Sequence, residues 1–112
     1  MISSADTKSK IRVCIIGCGK GGTAILNTLN DNPFIKIVGV VDINPSAKGI
    51  KLAKSLNLPV ALDYKEIIKD VSIIINVTGS KEVGKEITQI KAPDAELIEG
   101  LSAKLIWQMV EE

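Results

Sequence analysis

Apolar runs and amphipathic segments alternate along the chain after a polar beginning. Short runs rich in β-branched residues predict strands, whereas apolar residues at helical spacing predict helices. Strands are predicted over residues 11–17, 35–42, 59–63, 71–78 and 96–99. Helices are predicted over residues 22–30, 45–57, 64–69, 81–91 and 101–112. Each predicted strand is therefore followed by a predicted helix.

This alternation predicts how the strands pair. Short connections between alternating strands and helices require parallel strands joined by right-handed crossovers. The first, second and fourth strands are almost continuously apolar, which is typical of strands covered on both faces. The third and fifth are shorter and suit the sheet edges. We therefore predict an α/β fold of three layers around a doubly wound parallel sheet of five strands in the order 3-2-1-4-5. Residues 11–112 form one predicted domain, and residues 1–10 a disordered leader.

The last predicted helix carries more apolar surface than one sheet face requires. On a helical wheel at about 100° per residue, its apolar arc covers about two-thirds of the circumference. We expect Leu101, Leu105 and Met109 to pack on the sheet, and Trp107 and Val110 to meet a second copy of the chain or a downstream domain. The alternative is a frayed terminal helix with half-exposed apolar residues. The residues named for such an interface are Leu105, Ile106, Trp107 and Val110.

Composition excludes several classes of function. The chain has 112 residues, no histidine, and 14 Lys and Arg against 13 Asp and Glu. This balance gives no sign of nucleic-acid or membrane binding, and no apolar run reaches the ~20 residues of a membrane span. Without histidine, the chain offers no Ser-His-Asp or Cys-His centre and no His-containing zinc site. Cys14 and Cys18 are too few for a disulfide framework, which favours the cytoplasm. No catalytic residue and no metal ligand is predicted.

A glycine-rich motif at the end of the first strand carries the main functional signal. Gly17, Gly19 and Gly22 give the spacing G-x-G-x-x-G between a predicted strand and a predicted helix. Asp42 follows Gly22 by twenty positions and ends the second strand. This context is that of a Rossmann dinucleotide site, and it predicts NAD as the cofactor. Glycine-rich turns also occur in doubly wound domains that bind flavins, other nucleotides or no ligand, and these alternatives stay open.

Each residue of the motif has its own expected role. Gly17 permits the tight turn, Gly19 lets the backbone approach the pyrophosphate, and Gly22 lets the helix pack on the sheet. Lys20 and Gly21 complete the loop at the helix start, where free N–H groups and the helix dipole favour phosphate. Asp42 would accept hydrogen bonds from the ribose hydroxyls and repel a 2′-phosphate, which favours NAD over NADP.

Residues beyond the motif complete the predicted site. Ile43 and Asn44 follow Asp42 and are expected to line the adenine pocket. Thr78 and Gly79 end the fourth strand beside the point where the strand order reverses, so they are candidates to contact the nicotinamide side; the alternative is an ordinary turn. Cys18 is expected to point out of the phosphate loop, either as a tolerated small residue or as a redox-active thiol.

Three segments carry a family resemblance: IRVCIIGCGKGGTAI, IVGVVDINP and the VTG that ends the fourth strand. They resemble the N-terminal domain of the glucose–fructose oxidoreductase and inositol dehydrogenase group, and the cofactor domains of aspartate and homoserine dehydrogenases are similar. The resemblance covers residues 11–100 and implies an NAD(P)-binding Rossmann domain. Less closely, the chain resembles the Rossmann modules that precede PAS and histidine-kinase domains in bacterial signalling proteins.

The chain also departs from the sugar-oxidoreductase group. In that group the fifth strand runs into a Glu-Lys-Pro motif with a catalytic lysine. Here Glu99 matches the glutamate, but Gly100 stands at the lysine position. The catalytic histidine of the group's second domain has no counterpart in this sequence. We therefore expect no complete dehydrogenase in these residues alone.

Three functions remain open at this stage. The first is an NAD(H)-binding module, either a stand-alone or sensor domain or the N-terminal domain of a larger protein. The second is the cofactor half of an NAD-dependent oxidoreductase with a separate substrate domain. The third is a protein-interaction domain with a vestigial nucleotide site.

Overall fold

A computed structural model describes residues 10–111 and shows one parallel sheet in the order β3-β2-β1-β4-β5. The strands are β1 (Ile11–Ile16), β2 (Ile35–Val41), β3 (Val60–Ala61), β4 (Ile73–Asn76) and β5 (Glu96–Ile98). The helices are α1 (Lys20–Asn30), α2 (Lys48–Ser55), α3 (Lys81–Ile90) and α4 (Gly100–Glu111). The predicted class and strand order are confirmed. Of the predicted leader, residues 1–9 lie outside the described part.

Side chains of the central strand β1 alternate between two hydrophobic cores. Val13 and Ile15 face the first core, which α1, α2 and α4 cover. Cys14 and Ile16 face the second core, which α3 and the connection between β3 and β4 cover. Both faces of the sheet are thus buried, as the apolar runs predicted. This arrangement leaves the carboxyl ends of the strands as an open edge between the two layers.

The orientation predicted for the last helix is wrong. Leu101 and Met109, expected on the sheet, are 85% and 64% exposed, and Leu105 is 59% exposed. Ala103 is the buried residue of α4, and Ile106, Trp107 and Val110 pack against the first core. The helix therefore uses the side that was expected to face a partner. A small residue at the closest approach lets α4 lie near the sheet, so the larger side chains settle around Ala103.

Several predicted helix and strand boundaries are also corrected. The helix predicted from residue 45 begins at Lys48, because the Asn44 side chain accepts the Ser46 N–H (2.9 Å) and holds a turn there. The helix predicted from residue 22 begins two residues earlier, at Lys20. The helix predicted over residues 64–69 consists of two short 3₁₀ turns, Tyr64–Glu66 and Ile68–Asp70.

The strands are shorter than predicted. β3 keeps two residues of the predicted 59–63, because Asp63 accepts the Lys65 N–H (2.9 Å) and caps the next turn. β4 ends at Asn76 rather than residue 78, because the Asn76 side chain accepts the Thr78 N–H (3.1 Å). In the described part of the chain, no helix is long and apolar enough to cross a membrane.

Candidate functional site

A crevice of about 800 Å³ opens at the carboxyl ends of β1, β2 and β4. Ligands of doubly wound sheets bind at this edge, at the point where the strand order reverses and the connections from neighbouring strands lead to opposite faces of the sheet. The lining comes from the turn after β1, the end of β2, the segment after β3, the end of β4 and α3. Its residues are Ile16, Gly17, Gly19, Val41, Asp42, Ile43, Leu62, Asp63, Tyr64, Lys65, Val77, Thr78, Ser80, Val83 and Glu86.

The three motif glycines have different surroundings. Gly17 has a φ of +95°, a conformation that favours glycine, and its N–H donates to the Val41 carbonyl oxygen (2.8 Å). A Cβ on Gly22 would overlap the carbonyl oxygen of Gly17, so α1 passes the strand end without room for a side chain. A Cβ on Gly19 would meet no protein atom within 4 Å. Gly19 therefore leaves open space beside the backbone at the crevice.

The start of α1 is suited to an anion. Its N-cap is Gly19, and none of the described side chains caps the helix. Thr23 supports the turn from below, because its hydroxyl donates to the Gly19 carbonyl oxygen (2.6 Å) and lies 3.2 Å from that of Cys18. The first N–H groups of a helix have no acceptor within the helix, and they form its positive end. A phosphate in the open space beside Gly19 would meet these donors.

Asp42 is fixed at the end of β2 by two backbone groups. Its carboxylate accepts the Cys18 N–H (2.7 Å) and the Asn44 N–H (2.9 Å), one on each oxygen. These bonds join the glycine loop to the end of β2. A carboxylate has about four acceptor positions, so Asp42 keeps capacity for hydroxyl donors in the crevice. Asp42 therefore combines a fixed position with a negative charge.

The wall beside Asp42 is apolar and exposed. Ile43 is 87% exposed, and Leu62 across the crevice is 56% exposed. Two large aliphatic side chains that line an open crevice can bind a flat apolar group such as a purine base.

Cys18 does not point out of the loop as expected. It is fully buried, and its thiol lies 3.4 Å from the Val41 carbonyl oxygen. Burial, and next the Asp42 charge, raise the pKa of Cys18 from 9.0 to about 12. Burial likewise raises the pKa of Cys14 to about 12. A buried thiol with a raised pKa is a weak nucleophile, so the structure favours a packing role for Cys18 over a redox-active one.

At the end of β4, Asn76 organises the turn that carries Thr78. Asn76 is 3% exposed, and its side-chain oxygen accepts the Thr78 N–H and hydroxyl (3.1 and 2.7 Å). Its amide donates to Glu99 (3.2 Å). Thr78 lines the crevice, whereas Gly79 lines a neighbouring pocket of about 460 Å³ that also contains Glu99 and Gly100. Gly100, at the lysine position of the resembling family, has a φ of +58°.

Half of the predicted site residues line the crevice itself: Gly17, Gly19, Asp42, Ile43 and Thr78. The others lie around it. Lys20 is exposed at the start of α1, Gly22 is buried against Gly17, and Asn44 contributes a backbone N–H to Asp42. Gly21 faces Trp107 of α4.

One wall of the crevice was missed by the sequence analysis. Tyr64 donates a hydrogen bond to Glu86, and the Lys65 ammonium lies 3.4 Å from the same carboxylate. These contacts join the segment after β3 to α3. Tyr64 and Lys65 were predicted in a helix, and Glu86 lies in α3, which carries no recognisable sequence motif. No sequence spacing therefore predicts that these residues come together.

Comparisons with known proteins identify the family and the fold. The profile described as "Oxidoreductase family, NAD-binding Rossmann fold" matches residues 11–92. Acetaldehyde dehydrogenase 2 of Rhodococcus erythropolis is 28% identical over 80 residues, which are 65% of this chain and 26% of that protein. An acetaldehyde dehydrogenase of Chloroflexus aurantiacus is 30% identical over 76 residues, 64% of this chain and 25% of that protein.

Two solved structures share the fold. Apo scyllo-inositol dehydrogenase from Lactobacillus casei has a TM-score of 0.56 at 18% identity, over 91% of this chain and 33% of that one. Myo-inositol dehydrogenase from Corynebacterium glutamicum has a TM-score of 0.54 at 16% identity, with the same coverage. The chain thus spans about a quarter of the curated relatives and a third of the solved structures. The two structures confirm the fold, and the family match over residues 11–92 confirms the suspected family resemblance.

Proposed function

Because the chain belongs to the oxidoreductase family with an NAD-binding Rossmann fold, we propose that the crevice binds NAD(H) in preference to NADP(H). In this proposal the pyrophosphate meets Gly19 and the N–H groups at the start of α1. The adenine ribose meets Asp42, and adenine lies between Ile43 and Leu62. Thr78 lies on the nicotinamide side.

The observation that carries the proposal is that an open space beside Gly19 and the fixed carboxylate of Asp42 occur together at the crevice. Gly19 leaves room for a phosphate at the positive end of α1, and Asp42 is anchored beside it by the Cys18 N–H. The two features sit where one dinucleotide would use both.

The charge around the crevice supports the preference for NAD. Asp42, Asp63 and Glu86 line it, and Lys65, the one lysine among the described lining residues, is paired with Glu86. Within residues 10–111, a 2′-phosphate would therefore meet the Asp42 carboxylate with no unpaired lysine or arginine in the lining. Charge repulsion in a partly buried site disfavours such a ligand.

We expect NADH to bind at least tenfold more tightly than NADPH, and Asp42→Asn to narrow that difference. The variant removes the charge that repels the 2′-phosphate while it keeps the size of the side chain. Isothermal titration of both cofactors into the wild type and the variant measures the difference. Asp70→Asn is the matched control, because Asp70 pairs with Arg12 away from the crevice. Equal affinities of the wild type for NADH and NADPH would contradict the preference.

We propose that this chain is the cofactor-binding domain of an NAD-dependent oxidoreductase, in which a separate domain binds the substrate. Family membership and the dehydrogenase relatives favour this reading over a sensor module. The chain itself has no histidine, and glycine replaces the family's lysine at position 100. Assay of the full-length gene product with NAD and small aldehydes or polyols tests the proposal, and cofactor binding without any turnover would favour the sensor module.

Two finer points accompany the proposal. A homodimer or neighbouring domain that uses α4 is proposed to contact Leu105, which is exposed, whereas Ile106, Trp107 and Val110 are partly buried against the first core. Light scattering of the wild type and Leu105→Glu tests the homodimer, which a monomeric wild type would contradict.

We also propose that the protein works in a reducing compartment, the cytoplasm, because Cys14 and Cys18 are unpaired thiols.

A further inference from the structure

Trp107 of α4 lies directly against the first turn of α1. A Cβ on Gly21 would lie 3.0 Å from Cδ2 and 3.1 Å from Cε3 of the indole, so glycine is what allows the ring to sit there. The indole N–H donates a hydrogen bond to Glu111 one turn further along α4. The ring is therefore anchored to its own helix by this hydrogen bond, and its fused edge lies against the backbone of α1 at Gly21.

The turn that Trp107 contacts is a weak helix start. Gly21 and Gly22 occupy two of its first four positions after the N-cap Gly19, and a glycine inside a helix costs about 1 kcal/mol relative to alanine. None of the described side chains caps the turn, and its first turn carries no acidic residue. These features keep the N–H groups free for a phosphate, but they also remove the usual side-chain cap, so the local support within α1 is the Thr23 hydroxyl on the Gly19 carbonyl oxygen. A contact from a neighbouring element adds to this support.

We propose that Trp107 is a positioning residue for the pyrophosphate site: through Gly21 it holds the first turn of α1 so that its N–H groups point at the phosphates. The inference rests on the proposed binding of NAD(H) in the crevice. Trp107 lines none of that crevice, so it acts through α1 and not by contact with the ligand.

A role in general packing predicts a different pattern. Ile106 and Val110 share with Trp107 the side of α4 that packs on the first core. If Trp107 only added to this packing, its loss would lower the fraction of folded protein and so lower the apparent affinity for every ligand by the same factor. If Trp107 positions the phosphate-binding turn, its loss would lower the affinity for ligands with a diphosphate and leave the affinity for ligands without one unchanged.

The test compares ADP with adenosine, which share the base and ribose and differ in the diphosphate. Both are titrated by NMR into the full chain as the wild type, Trp107→Leu, Gly21→Ala and Ile106→Ala. Trp107→Leu removes the ring, and Gly21→Ala displaces it by a few tenths of an ångström. We expect either variant to weaken ADP about tenfold, comparable to the loss of one hydrogen bond to a charged group, and adenosine less than about twofold. Ile106→Ala is the packing control and should leave the ratio of the two affinities unchanged.

Each outcome decides one question. If the wild type binds neither ADP nor NADH, the proposed binding of NAD(H) is wrong, and the role of Trp107 that rests on it is wrong as well. A wild type that binds both, with unchanged ADP affinity in Trp107→Leu, overturns the positioning role. If Trp107→Leu binds adenosine more weakly as well, the result with Gly21→Ala distinguishes the two roles. A lower affinity of Gly21→Ala for ADP alone supports the positioning role, and an equal decrease in the affinities for ADP and adenosine contradicts it.

Discussion

At the scale of single residues, glycine has separate functions at neighbouring positions of one loop. A methyl group on Gly22 would overlap the Gly17 carbonyl oxygen, whereas one on Gly19 would meet no protein atom within 4 Å. We expect Gly22→Ala to lower the free energy of unfolding by about 3 kcal/mol or more, and Gly19→Ala to change it by less than about 1 kcal/mol. Urea unfolding of both variants measures this, and equal destabilisation would show that the loop packs differently.

The buried thiols predict a dependence of stability on high pH. The pKa values of Cys14 and Cys18 are raised from 9.0 to about 12, so the folded state keeps protons that the unfolded state releases. Their contribution is fully present below pH 9 and is lost as the pH rises from 9 towards 12. We expect the urea midpoint to fall over this range. The fall should be shallower in Cys14→Ala, and an identical slope in that variant would contradict the assignment.

The positions of the site residues were predictable to different degrees. The spacing from Gly17 to Gly22 and on to Asp42 depends on local chain geometry, and the structure brings Gly17, Gly19 and Asp42 to one crevice. The contact of Trp107 with Gly21 and the pair of Tyr64 with Glu86 join distant segments. Such contacts depend on how helices are placed against each other, which no local pattern specifies.

At the scale of elements, strand identity and order followed from hydrophobic patterning, but the side on which α4 packs did not. A helical wheel ranks sides by apolar content, and α4 is apolar on most sides. Packing instead selected the side where the small Ala103 permits close approach and Trp107 fits over Gly21. Element ends were also displaced, because side chains such as Asn44, Asp63 and Asn76 accept nearby backbone N–H groups.

The observed side of α4 gives a direct prediction. Leu105 is 59% exposed, whereas Ile106 packs against the first core. We expect Leu105→Glu to change the free energy of unfolding by less than about 0.5 kcal/mol, and Ile106→Glu to lower it by about 3 kcal/mol, because a carboxylate would lose its hydration there. Thermal and urea unfolding of the two neighbouring variants provide a matched comparison. The reverse ranking would restore the orientation that the wheel predicted.

At the scale of the whole molecule, the two layers of helices leave one open edge, and the features suited to a dinucleotide lie along it. The glycine loop follows β1, the Asp42 carboxylate that is proposed to bind the ribose follows β2, and Thr78 follows β4. The sheet order alone brings these three strand ends together, which explains why fold and site were predicted by the same pattern. The chain spans about a quarter of the length of its dehydrogenase relatives.

The central claim is that NAD(H) binds through the open space at Gly19. The most direct measurement is isothermal titration of NADH into the wild type and Gly19→Ala, with thermal unfolding to show that both are folded. A methyl group there meets no protein atom within 4 Å, so it would obstruct the phosphate and leave the fold intact. We predict measurable binding by the wild type and an affinity at least tenfold lower in the folded variant. Equal affinities, or a folded wild type that does not bind NADH, would contradict the account.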